Sequence, residues 1–80
     1  MDKEKISEDL KDILFNINPN INLKENFFSV NSSMYPRDVV YCIYAIEDKF
    51  GIIFEEKLIT DMSFFTFDKI SDFIYNKLNI

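Results

Sequence analysis

Few side chains in this 80-residue chain could carry out catalysis. The sequence has no histidine, a single cysteine and a single glycine. Because histidine is the usual general base and a common zinc ligand, its absence removes serine–histidine and cysteine–histidine catalysis. Cys42 has no histidine to activate it and stands in an apolar-rich helical segment, so we predict a structural thiol rather than a reactive one.

The acidic residues also lack the spacing of a known site. Glu55, Glu56 and Asp61 do not match a calcium-binding loop, and they are read as a solvated acidic loop. One glycine is too few for a phosphate-binding loop. We therefore predict that the protein is not an enzyme and contains no metal site.

The elements that position these residues are predicted to be helices. Ser7 is predicted to cap a first helix with apolar positions at Leu10, Ile13, Leu14 and Ile17. A long loop containing Pro19 follows. Further predicted features are Pro36 in the first turn of a second helix, Gly51 at its end, a short helical turn between Glu55 and Met62, and Thr66 as the cap of a last helix. The predicted apolar stripe of the second helix comprises Val39, Val40, Ile43, Ile46 and Phe50.

Composition supports one small domain spanning residues 1–80. The chain is 48% hydrophobic and contains nine phenylalanines, which is enough for a packed core. Its net charge of −5 makes a nucleic acid an unfavourable partner. No apolar leader or membrane span is evident, and the single cysteine offers no intrachain disulfide, so we predict a cytoplasmic monomer that does not bind membranes.

Two segments carry a resemblance to a known family. Residues 28–50 begin with Phe28, a polar loop and Pro36, and end in Glu47-Asp48-Lys49-Phe50. Residues 60–74 read TDMSFFTFDKISDFI. Both resemble acyl and peptidyl carrier proteins, in an ungapped register from Phe28 to Ile74. The resemblance implies an all-α, carrier-protein-like bundle of three main helices and one short helix, with a long loop after the first helix.

The departures from the family cluster at its functional centre. Carrier proteins have Asp-Ser-Leu at the start of the second helix, and the serine carries 4′-phosphopantetheine. Tyr35, Pro36 and Arg37 occupy these places here, and proline has no hydroxyl to modify. The resemblance thus implies a carrier-related adaptor without phosphopantetheine, of the kind associated with peptide maturation.

By the same resemblance, the second helix and its preceding loop would dock on a biosynthetic or peptide-modifying enzyme. The predicted partner-binding residues are Tyr35, Arg37, Asp38, Tyr41 and Glu47. Met34 and Tyr44 could join them in an aromatic surface. Alternatively, Tyr44 lies toward the core and the other rings are isolated on the surface.

A second hypothesis keeps the carrier chemistry. In this alternative, Ser33 or, less favourably, Ser32 carries 4′-phosphopantetheine after a shift of the loop, and the chain is a genuine acyl or aminoacyl carrier. The simpler role of Ser33 is to cap the second helix.

Overall fold

The computed structural model describes residues 2–79, which form four α-helices and no β-strand. The helices are α1 (Lys3–Ile17), α2 (Pro36–Phe50), α3 (Glu56–Ile59) and α4 (Phe67–Leu78). Short 3-10 turns span Val30–Ser32 and Met62–Phe64. This arrangement confirms the predicted all-α bundle with three main helices, one short helix and a long loop after α1.

The start of α1 corrects the sequence-based prediction. The helix begins at Lys3 rather than after Ser7, and Asp2 is its N-cap, with a carboxylate oxygen 2.8 Å from the backbone nitrogen of Lys5. The reason lies in the packing, because Ile6 is fully buried one turn before Leu10 and extends the apolar stripe toward the N-terminus.

Helix α1 lies at the centre of the bundle and packs against both α2 and α4. The buried apolar side chains of these helices are Ile6, Leu10 and Leu14 of α1, Val39, Cys42, Ile43, Ile46 and Phe50 of α2, and Ile70 and Ile74 of α4. Val40 was predicted to belong to this core and does not, since 46% of its surface is exposed. It follows Val39 by one residue, about 100° around the helix, and so points away from the buried face.

A cluster of phenylalanine rings fills the space between the loops and α4. Phe54 and Phe73 pack edge to face with centroids 5.1 Å apart, and Phe64 contacts Phe73 at 5.5 Å. Phe65 continues the cluster through Phe64 at 5.6 Å and Phe28 at 5.2 Å. Such edge-to-face pairs stabilise a core beyond the area that they bury.

Two hydrogen bonds hold the long loop against the segment that precedes α4. The backbone N–H of Phe27 donates to the carbonyl of Phe65 at 2.8 Å. The Asn26 side-chain amide donates to the carbonyl of Met62, also at 2.8 Å. The segment that leads into α2 is therefore held at a defined position. Within residues 2–79, no helix has the length and apolar character to cross a membrane.

Candidate docking face on helix α2

The first turn of α2 is built around a proline. Tyr35 is the N-cap in an extended conformation, and Pro36 occupies the first helical position, as predicted. A proline costs nothing there, because its missing N–H would have no partner within the helix. The carboxylate of Asp38 accepts a hydrogen bond from the backbone N–H of Tyr35 at 3.2 Å, which further fixes the start of the helix.

Two serines precede this turn, and their environments differ sharply. Ser32 is fully buried, and its Oγ lies 3.0 Å from the carbonyl oxygen of Phe27 and 2.8 Å from that of Ser29. The same oxygen accepts a hydrogen bond from the N–H of Met34 at 3.1 Å. Ser32 is therefore a structural residue that shapes the loop, and its hydroxyl is out of reach of a modifying enzyme.

Ser33 is exposed and has a left-handed backbone conformation, with φ of 68°. It ends the first 3-10 turn and does not cap α2, which corrects the simpler role expected for it. Its carbonyl accepts a hydrogen bond from the side-chain amide of Asn18. An open groove beside the start of α2 is lined by Asn18, Asn20, Val30, Ser33, Met34 and Tyr35.

Three of the five predicted partner-binding residues lie freely on the surface. Tyr35 is 64% exposed and Tyr41 59% exposed, and Arg37 is exposed as well. The Arg37 guanidinium lies 5.9 Å from the centre of the Tyr35 ring, within the range of a cation–π contact. These residues form an aromatic and cationic end to the helix.

The other two predicted residues have structural roles. Asp38 is half-buried and caps the helix as described. Glu47 is also half-buried, and its carboxylate accepts a hydrogen bond from the backbone N–H of Phe54 at 3.0 Å. Glu47 thus holds the extended segment after Gly51 against α2, a role that the sequence did not reveal.

Of the two residues that were predicted to join this surface, one does and one does not. Tyr44 is 65% exposed, so the alternative that placed it toward the core is wrong. Met34 is buried in the core, so its predicted place on the aromatic surface is wrong. Val40 lies one turn before Tyr44 and is also exposed. We call the surface formed by Tyr35, Arg37, Val40, Tyr41 and Tyr44 the docking face. Arg37, Tyr41 and Tyr44 fall outside the predicted apolar stripe of α2, and that is the sequence signal that identifies them, whereas Val40 was assigned to that stripe and is revealed only by its exposure in the structure.

Cys42 lies on the opposite side of α2 and is 2% exposed. Burial raises the pKa of its thiol to about 12, because the thiolate would be poorly solvated there. The thiol is therefore protonated at neutral pH and inaccessible, in agreement with the structural role predicted for it.

Two of the three acidic residues near α3 have partners within the fold, and the third, Glu56, is exposed in the first turn of α3. Glu55 forms ion pairs with Lys57 at 3.6 Å and Lys77 at 3.4 Å. Asp61 caps the second 3-10 turn by accepting hydrogen bonds from the hydroxyl and from the backbone N–H of Ser63, and these bonds lower the pKa of its carboxyl group. Among residues 2–79, no three histidine, cysteine or acidic side chains converge on a common point where a metal ion could bind.

No protein-family model, curated protein or solved structure matches this chain. Its function must therefore be inferred from the docking face and from the start of α2.

Proposed function

We propose that this chain is a carrier-protein-like adaptor that docks on a biosynthetic or peptide-modifying enzyme in the cytoplasm and carries no 4′-phosphopantetheine. The observation that supports this most directly is Pro36 at the first position of α2. In the family that the chain resembles, this position bears the modified serine. A proline there keeps the helix start and removes the nucleophile.

The chemistry of the docking face supports an interaction role. Tyrosine and arginine are the residues most often found as anchors of protein interfaces, since each combines a large contact surface with hydrogen-bonding groups. Three tyrosines and one arginine lie on this face, each exposed. Burying these rings against a partner would provide binding energy without any covalent cargo.

The first experiment restores the family motif. The natural chain and the triple variant Tyr35→Asp, Pro36→Ser, Arg37→Leu are incubated with coenzyme A and a broad-specificity phosphopantetheinyl transferase, and their intact masses are measured. We expect no mass change for the natural chain and the gain of one phosphopantetheine for the triple variant, because the scaffold would still present the restored serine at a helix start.

A normal carrier protein serves as the positive control. If the natural chain is modified, the cargo-free proposal is wrong. If neither chain is modified while the control is, the resemblance to carrier proteins does not extend to the surface that the transferase reads, and the carrier-like part of the proposal fails.

The second experiment tests docking. Candidate partners are biosynthetic and peptide-modifying enzymes encoded beside this chain, and binding is measured by biolayer interferometry. Tyr41→Ala is expected to weaken binding by about thirtyfold if Tyr41 is an anchor worth about 2 kcal/mol. Phe15→Ala removes a partly exposed ring of α1, outside the docking face, and should leave binding unchanged. Equal effects of the two substitutions would contradict the assignment of the face.

Asp38 and Glu47 are poor probes of docking, because their carboxylates also accept backbone hydrogen bonds. Weaker binding of Asp38→Lys could result either from a lost contact with the partner or from a disturbed start of α2, and the measurement would not separate the two causes. Arg37→Ala is a cleaner companion to Tyr41→Ala, since Arg37 makes no ion pair within residues 2–79.

The alternative function is a genuine carrier modified at Ser33. Its supporting observation is the exposure of Ser33 two residues before the N-cap of α2. A phosphopantetheine mass gain on the natural chain that disappears in Ser33→Ala would establish this alternative and exclude the adaptor.

A further inference from the structure

The most exposed line of α2 has the residue spacing of a coiled-coil seam. Arg37, Tyr41, Tyr44 and Asp48 follow one another at intervals of four, three and four residues, and all are exposed. This alternation repeats every seven residues, which is the pattern by which one helix packs lengthwise on another. We call these residues the Arg37–Asp48 seam. It faces away from the core, and none of the other residues from 2 to 79 covers it.

The seam is complementary to itself when its direction is reversed. A two-fold axis passing between Tyr41 and Tyr44 places Arg37 opposite Asp48 of a second copy. The same axis places Tyr41 opposite Tyr44 of the second copy. A two-fold contact of this type repeats each pair twice, so the interface would contain two arginine–aspartate pairs around four tyrosine rings. We infer that a second copy of this chain packs antiparallel on the Arg37–Asp48 seam.

The positions of the two charges along α2 provide independent support. Arg37 lies in the first turn and Asp48 in the last, and both charges oppose the dipole of their own helix. An antiparallel second copy reverses this relation. Arg37 then meets the C-terminal end of the neighbouring α2 and Asp48 meets its N-terminal end, where each charge is favourable.

Neither charge has an ionic partner within the part of the chain that the structure describes, and the one contact recorded for Arg37 is with the Tyr35 ring. Within residues 2–79, Arg37 and Asp48 form no ion pair, although four other ion pairs are present. The charges that do suit the dipole, Asp38 and Lys49, stand next to the seam residues but off the seam. The unfavourable pair is thus confined to the line where a second copy would lie.

The size of the contact predicts a weak, reversible dimer. From Arg37 to Asp48 the helix rises about 16 Å, or three turns. Two helices in contact along three turns bury less surface than the roughly 800 Å² per partner that stable complexes commonly bury. The chain would therefore be a monomer in dilute solution, as the sequence predicts, and a dimer when concentrated.

Self-association would also regulate the proposed docking, a consequence that rests on the proposed function. Tyr41, Tyr44 and Arg37 belong to both the seam and the docking face. The dimer and the enzyme complex would therefore exclude one another, so that only the monomer is competent to dock.

The test uses charge reversal and mixing, followed by sedimentation velocity from dilute to concentrated solution. Arg37→Asp places two like-charged pairs in the dimer, and Asp48→Arg does the same with the opposite sign. Each variant alone should self-associate at least about tenfold more weakly than the natural chain. An equimolar mixture of the two variants should associate again, because every pair across the mixed dimer then has opposite charges.

Both variants should fold, since each substitution improves the match to the helix dipole, and thermal unfolding followed by circular dichroism checks this. Tyr41→Ser combined with Tyr44→Ser should abolish association even though the charges are intact. A natural chain that stays monomeric at every concentration overturns the inference. The inference is also overturned if the charge-reversed variants associate as strongly as the natural chain. It is overturned as well if the equimolar mixture associates no more strongly than either variant alone.

Failure here is distinguishable from failure of the proposed function. If the chain binds its enzyme through Tyr41 but never self-associates, the docking proposal is supported and the dimer is wrong. If the chain dimerises as described but no enzyme competes for the seam, the dimer is supported and the docking proposal is wrong.

Discussion

Replacement of Ser32 by alanine should destabilise the protein far more than the same change one residue later. The Ser32 Oγ is fully buried and accepts a hydrogen bond from the N–H of Met34 at 3.1 Å. In Ser32→Ala, this N–H loses its acceptor in a place that water does not reach. Leaving a buried donor unsatisfied costs about 1–3 kcal/mol.

Ser33→Ala is the matched control, because Ser33 is exposed and the change should lie within about 0.5 kcal/mol of the natural chain. A domain of this size has a total stability on the order of 4–12 kcal/mol, so the loss at Ser32 is a large fraction of the whole. With a urea dependence of about 1 kcal/mol per molar, the unfolding midpoint should fall by about 1–3 M in Ser32→Ala.

Far-UV circular dichroism during urea unfolding measures both variants. Hydrogen exchange gives a local readout. The exchange rate of the Met34 amide should rise in Ser32→Ala and should stay the same in Ser33→Ala. Equal midpoints for the two alanine variants would refute the claim that the Ser32 hydroxyl fixes the loop before α2.

Three further predictions concern α2 and its end. The pKa of Cys42 is raised by burial from 9.0 to about 12, so the folded chain binds more protons than the unfolded chain between these values. The free energy of unfolding should therefore fall as pH rises through that interval, and this part of the decline should be missing in Cys42→Ala when both are measured by urea unfolding. Glu47→Ala should accelerate hydrogen exchange at Phe54 by about tenfold or more, because that amide loses a charged acceptor, whereas Asp48→Ala should not. Gly51→Ala should cost about 1–2 kcal/mol in thermal unfolding, since φ is 67° although no atom crowds the new methyl group; an unchanged stability would contradict the assigned backbone conformation.

Helix ends were predicted correctly where a single residue type has a strong preference for that position. Pro36 starts α2, Gly51 ends it in the left-handed conformation, and the Thr66 hydroxyl accepts a hydrogen bond from the N–H of Lys69 at the start of α4. The start of α1 was misplaced because Asp2 and Ser7 are both good caps. Only the burial of Ile6 decides between them.

The exposure of three residues at the start of α2 was predictable from the sequence, but the roles of their neighbours were not. The resemblance drew attention to the start of α2, and the exposure of Tyr35, Arg37 and Tyr41 agrees with that expectation. Glu47 accepts the hydrogen bond from Phe54 because of the direction that the chain takes after Gly51. The residue spacing within α2 does not predict that direction. The second 3-10 turn was missed for a similar reason, because its cap, Asp61, forms only short-range polar contacts in a segment without apolar spacing.

The distribution of aromatic residues has a practical optical consequence. The chain has no tryptophan, and three of its four tyrosines, Tyr35, Tyr41 and Tyr44, lie exposed around α2. Its core rings are phenylalanines, which contribute little to ultraviolet emission. Most of the intrinsic tyrosine emission would therefore come from the α2 surface, and only Tyr75, which is half-buried against the core, would report on the interior. The unlabelled protein thus contains its own optical reporter of events at the α2 surface.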